Sequence, residues 1–148
     1  AGTAFRGPGP WRVLTPHPGE MARLAACTVT DIQADRVGLA RRFAQERNVV
    51  LVLKGQRTLI ATPAGRIFIN PTGNPGMATG GTGDVLTGML AGMTAQFGTE
   101  HWERVLALGV YLHGLAGDRL LPVFGDAGLL ATDLLRELPA ARYSLTKE

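Results

Sequence analysis

Three glycines within four residues, Gly80, Gly81 and Gly83, run directly into an aspartate, Asp84. Glycine lets a backbone turn its N–H groups inward around an anion without Cβ clashes. The apolar stretch that follows reads as a helix over residues 84–97. The loop therefore ends at a helix N-terminus, where the macrodipole and unpaired N–H groups favour negative charge. A phosphoryl group suits that place, and Asp84 stands beside it. First-turn Asp is also a common cap, and that plain reading stays open. A carboxylate next to a phosphoryl group is, however, electrostatically unfavourable. The chemistry that offsets this is removal of a proton from a hydroxyl attacking phosphorus. The stretch is neither a Walker A loop, which needs Gly-Lys-Ser/Thr, nor a dinucleotide fingerprint, which needs a strand running into Gly-x-Gly-x-x-Gly.

Two further segments carry residues of the same kind. Thr15-Pro16-His17-Pro18-Gly19-Glu20 follows the first readable strand. The C-terminal end of a strand in an open α/β sheet faces a ligand crevice. Lys54-Gly55-Gln56-Arg57-Thr58 leaves a buried strand, and a Lys there can reach a phosphate while Gly55 turns the backbone away. Lys54 and Lys147 are the only lysines, so Lys54 does not belong to a Lys-rich surface. A satisfied surface His17 and a solvated Lys54 at a strand exit are the plain alternatives.

Gly81-Thr82-Gly83-Asp84 resembles the Gly-x-Gly-Asp motif of the ribokinase-like superfamily. The longer string Asn74-Pro75-Gly76-Met77-Ala78-Thr79-Gly80-Gly81-Thr82-Gly83-Asp84-Val85-Leu86 resembles the signature of the NAD(P)H-hydrate dehydratases. The likeness runs over residues 12–139. It implies an anion hole at Gly81, Thr82 and Gly83, with Asp84 as catalytic base at the substrate hydroxyl. His17, within a His-Pro-Gly-Glu element, is implied to contact the hydrated nicotinamide. Glu20 is implied to support Mg²⁺ through water, which agrees with that ion's habit of keeping waters and taking few carboxylates. Lys54, Gly55, Gln56, Arg57, Thr58 and Gly83 are implied to hold ADP or ATP. His113-Gly114-Leu115-Ala116-Gly117-Asp118 resembles another family element, and its small residues most simply allow close helix packing. Residues 125–135, with Asp133, resemble the family's final helix.

The reaction so implied is repair of NAD(P)H hydrate, a cofactor with water added across a nicotinamide ring double bond. Phosphorylation by the nucleotide converts a poor leaving group into phosphate, whose loss restores NAD(P)H. With ADP as donor the by-products are AMP and phosphate.

Periodicity supplies the frame for these residues. Residues 11–15 read as a strand, 20–26 as a short helix, and Thr30-Asp31-Ile32-Gln33 as a capping box opening a helix over 31–46. Val49-Val50-Leu51-Val52-Leu53 has the continuous β-branched character of a strand buried on both faces. Residues 58–62 and 66–70 alternate around Pro63-Ala64-Gly65, as in a hairpin. Residues 71–83 must be a structured loop. Helices over 84–97, 102–121 and 129–138 follow, the first of them expected to be buried. Residues 1–10 read as a loop. The fold class is α/β, a ribokinase-like open sheet flanked by helices that lacks the family's N-terminal portion. The whole chain, 1–148, is expected to form one partial nucleotide-binding domain.

Composition bounds the partners. With 148 residues, 45% hydrophobic and 18% charged, a packed core is expected and disorder is not. The net charge of +3 is scattered, with no basic arm for nucleic acid. No apolar run is long enough for a membrane span, and Cys27 is the only cysteine, so the expected setting is cytoplasmic. Three other readings stay open. One is a ribokinase-like kinase for a small alcohol. The others are a non-catalytic nucleotide-binding remnant, and a half-enzyme completed by a second copy or a complementing N-terminal chain.

Overall fold

The computed structural model describes residues 12–98 and 100–146. The expected loop at residues 1–10, and Trp11 of the first strand, lie outside the described residues. The fold is α/β. In chain order it runs β1 (Val13–Leu14), α1 (Pro18–Ala25), α2 (Val29–Ala34), α3 (Arg36–Arg47), β2 (Val50–Leu53), β3 (Leu59–Ala61) and β4 (Ile67–Ile69). A 3₁₀ turn (Pro75–Met77), α4 (Thr82–Phe97), α5 (Trp102–Phe124) and α6 (Ala131–Ser144) follow. The sheet order is β1-β2-β3-β4. The described chain divides into two compact units. One runs to Lys54 and includes Leu59–Phe68; the other holds Gly55–Thr58 and everything from Ile69 onward.

In the first unit β1 lies parallel to β2, with Val13 opposite Val50 and Leu14 opposite Leu51. Three helices make the crossover, as a parallel pair requires. β3 returns antiparallel, with Leu53 opposite Leu59 and Leu51 opposite Ala61. All four residues of β2 are buried, as its β-branched run predicts. Leu51 and Leu53 meet Met21, Ile32, Ala40 and Ala44 in one core. The hairpin closes where expected: Gly65 adopts φ +82° and its N–H reaches Thr62 O at 2.9 Å.

The helix expected over 31–46 is two helices, and the capping box lies elsewhere. Thr28 and Asp31 cap α2 reciprocally: Asp31 N donates to Thr28 Oγ1 (3.1 Å) and Thr28 N to Asp31 Oδ2 (2.9 Å). Thr28 and Asp31 displace Thr30 and Gln33 because a carboxylate is a stronger acceptor than an amide. Asp35 then leaves helical geometry (φ −146°, ψ 64°), and its Oδ1 takes the Gly38 N–H at 2.8 Å, opening α3. α1 starts at Pro18, two residues before the expected Glu20. Proline is tolerated there because a first-turn N–H has no intrahelical partner.

In the second unit α4, α5 and α6 pack together, with a core at Ala116, Leu120, Leu129, Leu134 and Ala141. α4 begins at Thr82 rather than Asp84, and it is not the buried helix its composition suggests. Only Thr82, Leu86 and Leu90 are buried, one stripe at four-residue spacing. Mean apolarity does not tell how many faces have neighbours. α5 extends past 121 to Phe124 with Pro122 in its last turn, and α6 passes through Pro139 instead of stopping at 138. An interior proline costs about 3 kcal/mol or more. Full burial of Leu134 and Ala141 on either side of Pro139 offsets that cost.

Candidate functional site

In the first unit the loop after β1 and the end of β2 bring His17, Glu20 and Lys54 together. Lys54 N donates to Pro16 O at 2.9 Å, which fixes the strand end beside the loop. His17 is the N-cap of α1. Its Nδ1 accepts from Gly19 N (3.1 Å) and Glu20 N (3.2 Å), while Glu20 Oε2 accepts from His17 N (2.7 Å). Because Nδ1 is an acceptor, the ring proton resides on Nε2. His17 therefore presents a donor, with its side chain 53% exposed. Sequence reasoning treated His17 as a ligand contact and missed that it also starts the helix.

Lys54 Nζ lies 3.8 Å from Glu20 Oε2, and His17 Nε2 3.6 Å from Glu20 Oε1. The Glu20 carboxyl is held below its ordinary value of 4.5, first by the His17 N–H, against a partial desolvation that raises it, and then by Lys54, His17 and Arg23. A depressed folded value means that Glu20 contributes stability above the ordinary carboxylate range and loses it as pH falls through the lowered value. Glu20→Gln is expected to flatten this acid limb of the stability curve, followed by circular dichroism during acid titration. An acid limb identical to the parent's would show that the reciprocal cap carries no proton linkage.

Glu20 also lines a cleft of about 430 Å³ with Leu14, Thr15, Pro16, Arg23 and Leu24. Arg23 was not singled out in the sequence; its place three residues after Glu20 on α1 puts a cation beside the carboxylate. Among the described residues no three His, Cys, Asp or Glu side chains cluster to hold a metal. A cation at Glu20 would thus keep most of its waters, and Glu20 Oε1 is the oxygen not already taken by the His17 amide.

In the second unit the Gly-rich loop is tied down at nearly every residue. Asn70 N donates to Thr58 O at 2.9 Å, linking the Gly55–Thr58 turn to the loop. That turn bends through positive φ at Gly55 (135°) and at Arg57 (55°), and Thr58 Oγ1 closes it onto Gly55 O at 3.2 Å. Asn70 Nδ2 donates to Thr72 O (2.9 Å), and Thr72 Oγ1 lies 2.9 Å from Tyr111 O. Gly73 N and Asn74 Nδ2 donate to the two oxygens of Asp118 at 2.8 and 3.1 Å. Asn74 Oδ1 in turn accepts from Gly76 N at 3.0 Å and starts the 3₁₀ turn.

The loop ends at Gly81, the N-cap of α4, with φ +88°. Asp84 N and Val85 N both turn back to Gly81 O, at 3.1 and 3.0 Å. Among the described residues the amides of Gly80, Gly81 and Gly83 have no protein acceptor. Thr82 is used differently. Its hydroxyl lies 2.8 Å from Met77 O and 2.9 Å from Thr79 O, and its amide leans toward Thr79 O at 3.5 Å. The Thr82 side chain thus pins the loop. The Asp84 side chain is exposed in the first turn. Such an arrangement offers fixed N–H dipoles to an anion and a carboxylate to a proton.

The structure therefore groups His17, Glu20 and Lys54 within one unit. It groups Gly55, Gln56, Arg57, Thr58, Gly81, Thr82, Gly83 and Asp84 within the other. Asn70, Thr72, His113 and Asp118, which support the loop, were not predicted as site residues. Asp133, singled out with the last helix, caps α6 by accepting from Leu130 N at 3.0 Å. No described helix is long and apolar enough to cross a membrane.

A family model described as NAD(P)H-hydrate dehydratase matches residues 6–140. The chain is 53% identical over 136 residues to a bifunctional NAD(P)H-hydrate repair enzyme of Moorella thermoacetica, covering 92% of this chain and 25% of that one. Among solved structures it is similar to an ADP/ATP-dependent NAD(P)H-hydrate dehydratase from Bacillus subtilis, co-crystallised with ATP/Mg²⁺ and soaked with CoA. There the TM-score is 0.90 at 37% identity, over 97% of this chain and 53% of that one. A ribokinase-like superfamily protein of Enterococcus faecalis aligns with a TM-score of 0.76 at 39% identity, over 89% of this chain and 44% of that one. The chain thus spans about a quarter of the bifunctional relative and about half of each solved one.

Proposed function

The chain belongs to the NAD(P)H-hydrate dehydratase family, and from that membership we propose that it carries out nucleotide-dependent dehydration of (S)-NAD(P)H hydrate to NAD(P)H. The observation that carries the reading is the junction of loop and α4. There the unbonded amides of Gly80, Gly81 and Gly83 adjoin the exposed carboxylate of Asp84.

In this reading Asp84 accepts the proton of the ring hydroxyl as that oxygen attacks the terminal phosphorus of ADP. The bond from phosphorus to the bridging oxygen breaks, and AMP leaves with the bridging electron pair. The amides of Gly81, Thr82 and Gly83 stabilise charge on the transferred group. Phosphate then leaves the ring carbon with the bonding electron pair, the adjacent ring carbon loses a proton to water, and the double bond of NAD(P)H forms. His17, fixed as an Nε2 donor, orients the hydrate. Lys54, Gly55, Gln56, Arg57 and Thr58 hold the nucleotide. Glu20 supports Mg²⁺ through water, and the bound ion would neutralise charge on the phosphates. Residues 1–148 act as one ribokinase-like nucleotide-binding domain. Its single cysteine, Cys27, suits a reducing cytoplasm.

A second reading follows from the share of its relatives that the chain spans. It would be a nucleotide-binding half completed by an N-terminal chain or by a second copy. One experiment separates the readings. The 148-residue chain is mixed with NADH hydrate, Mg²⁺ and ADP or ATP, NADH absorbance is followed, and nucleotide binding is measured by calorimetry. A nucleotide-dependent rise is expected. Binding without a rise would favour the half-enzyme. Absence of both would overturn the proposal, and phosphorylation of a small alcohol in place of the hydrate would point to a kinase.

A further inference from the structure

Helix α5 meets the Gly-rich loop along one face. Tyr111, Gly114 and Asp118 recur at the spacing of a single helical stripe, and each touches the loop. Tyr111 O lies 2.9 Å from Thr72 Oγ1. A Cβ at Gly114 would stand 2.7 Å from the Thr72 carbonyl carbon and 2.9 Å from Gly73 N, so only glycine allows this approach. One turn on, the half-buried Asp118 carboxylate receives Gly73 N and Asn74 Nδ2. The buried His113 donates from Nε2 to Thr82 O at 3.0 Å, in the first turn of α4 itself.

We propose that Asp118 is a positioning residue: it sets the conformation of the anion loop by fixing the orientation of the Asn74 amide. The inference rests on the function proposed above and deepens it. A carboxylate is acceptor-only, so each oxygen can take one N–H. With Asn74 Nδ2 committed to Asp118, Asn74 Oδ1 must face Gly76 N, where it accepts and starts the 3₁₀ turn. That turn places Met77 O to meet the Thr82 hydroxyl at 2.8 Å, directly before the helix start that offers its amides. A relay of five polar groups thus runs from Asp118 on α5 through Asn74, Gly76 N and Met77 O to the Thr82 hydroxyl, and Asp118 and Gly76 N together fix the orientation of the Asn74 amide within it.

The donor and acceptor parity makes the proposal testable. Asp118→Asn introduces an NH₂ that must face either Gly73 N or Asn74 Nδ2. Flipping Asn74 only moves the donor–donor conflict to Gly76 N. The paired exchange Asp118→Asn with Asn74→Asp restores an acceptor opposite every donor. A role that rests on the charge at position 118 would not be rescued by that exchange, and a role in general stability is separated by whether the rise in exchange stays in the loop.

The measurements are amide hydrogen exchange across the unliganded protein, ADP affinity by calorimetry and, where the chain turns over, kcat and KM. For Asp118→Asn, exchange at Gly73, Gly76, Met77 and Ala78, the loop amides that have acceptors, is expected to rise about tenfold or more, while the cores of α5 and α6 keep their protection. kcat is expected to fall about tenfold to a hundredfold with a smaller change in KM, because the cradle amides matter most as charge develops. The paired exchange is expected to return both quantities toward the parent. Unchanged exchange at the loop, a uniform rise over α4, α5 and α6, or failure of the paired exchange to rescue would each overturn the proposal. Should the parent chain neither bind ADP nor turn over, the function falls, and hydrogen exchange still decides the role of Asp118.

Discussion

Asp84→Asn is expected to leave nucleotide binding intact and to lower turnover by about 10²–10⁴-fold, the usual contribution of a positioned general base. The amide is nearly isosteric, sits exposed in the first turn of α4, and disturbs no hydrogen bond assigned to the Asp84 side chain. What it removes is the proton acceptor. Removing a negative charge beside a phosphate also relieves repulsion, so ADP affinity is expected to hold or to tighten. That opposite movement of binding and rate distinguishes a base from a residue that merely shapes the site. Calorimetric Kd and kcat of parent and variant provide the check. Turnover within about tenfold of the parent would remove Asp84 from the role.

The second large effect separates two neighbouring glycines. Gly81 has φ +88°, and a Cβ there would lie 3.2 Å from Ala131 Cβ at the start of α6. Gly80 lacks a positive φ, and a Cβ there would meet nothing within 4 Å. Gly81→Ala is therefore expected to cost about 1–2 kcal/mol in backbone strain and to rotate the amides of the cradle, lowering ADP affinity about tenfold or more. Gly80→Ala is expected to remain within about twofold of the parent in both affinity and melting behaviour. Thermal unfolding and ADP titration of the two variants suffice. Equal sensitivity at both positions would mean that the cradle requires closeness of backbone to ligand, not the left-handed turn at Gly81.

The sequence carried the polar identities of the site without the contacts that orient them. His17, Glu20 and Lys54 were each legible because the segments that carry them follow recognisable strands, and only the structure brings the three together. The shared proton network was not. His17 reads as a ligand contact, and only its φ, ψ and the two amides on Nδ1 show that it caps α1. Thr82 reads as part of an anion hole, and the sequence does not show that its hydroxyl meets two loop carbonyls. Gly114 and Gly117 read as packing residues. They do pack closely, but against Thr72 and Met77 of the loop.

Local interactions determined what the sequence could declare by itself. The strand at Val50–Leu53, the hairpin around Gly65, the glycines before α4 and the aspartate after them follow from side-chain branching, turn chemistry and missing Cβ atoms, all acting within a few residues. Tertiary structure decided the rest. Asp35 divides a helix whose apolar periodicity is continuous, Leu134 and Ala141 carry α6 through a proline, and α4 exposes faces that its composition would bury. Asp118 reaches Gly73 across 45 residues, and His113 reaches Thr82 across 31. A hydrogen bond between residues so far apart imposes no periodicity on the chain between them, because its geometry is set by how α5 packs and not by any local pattern.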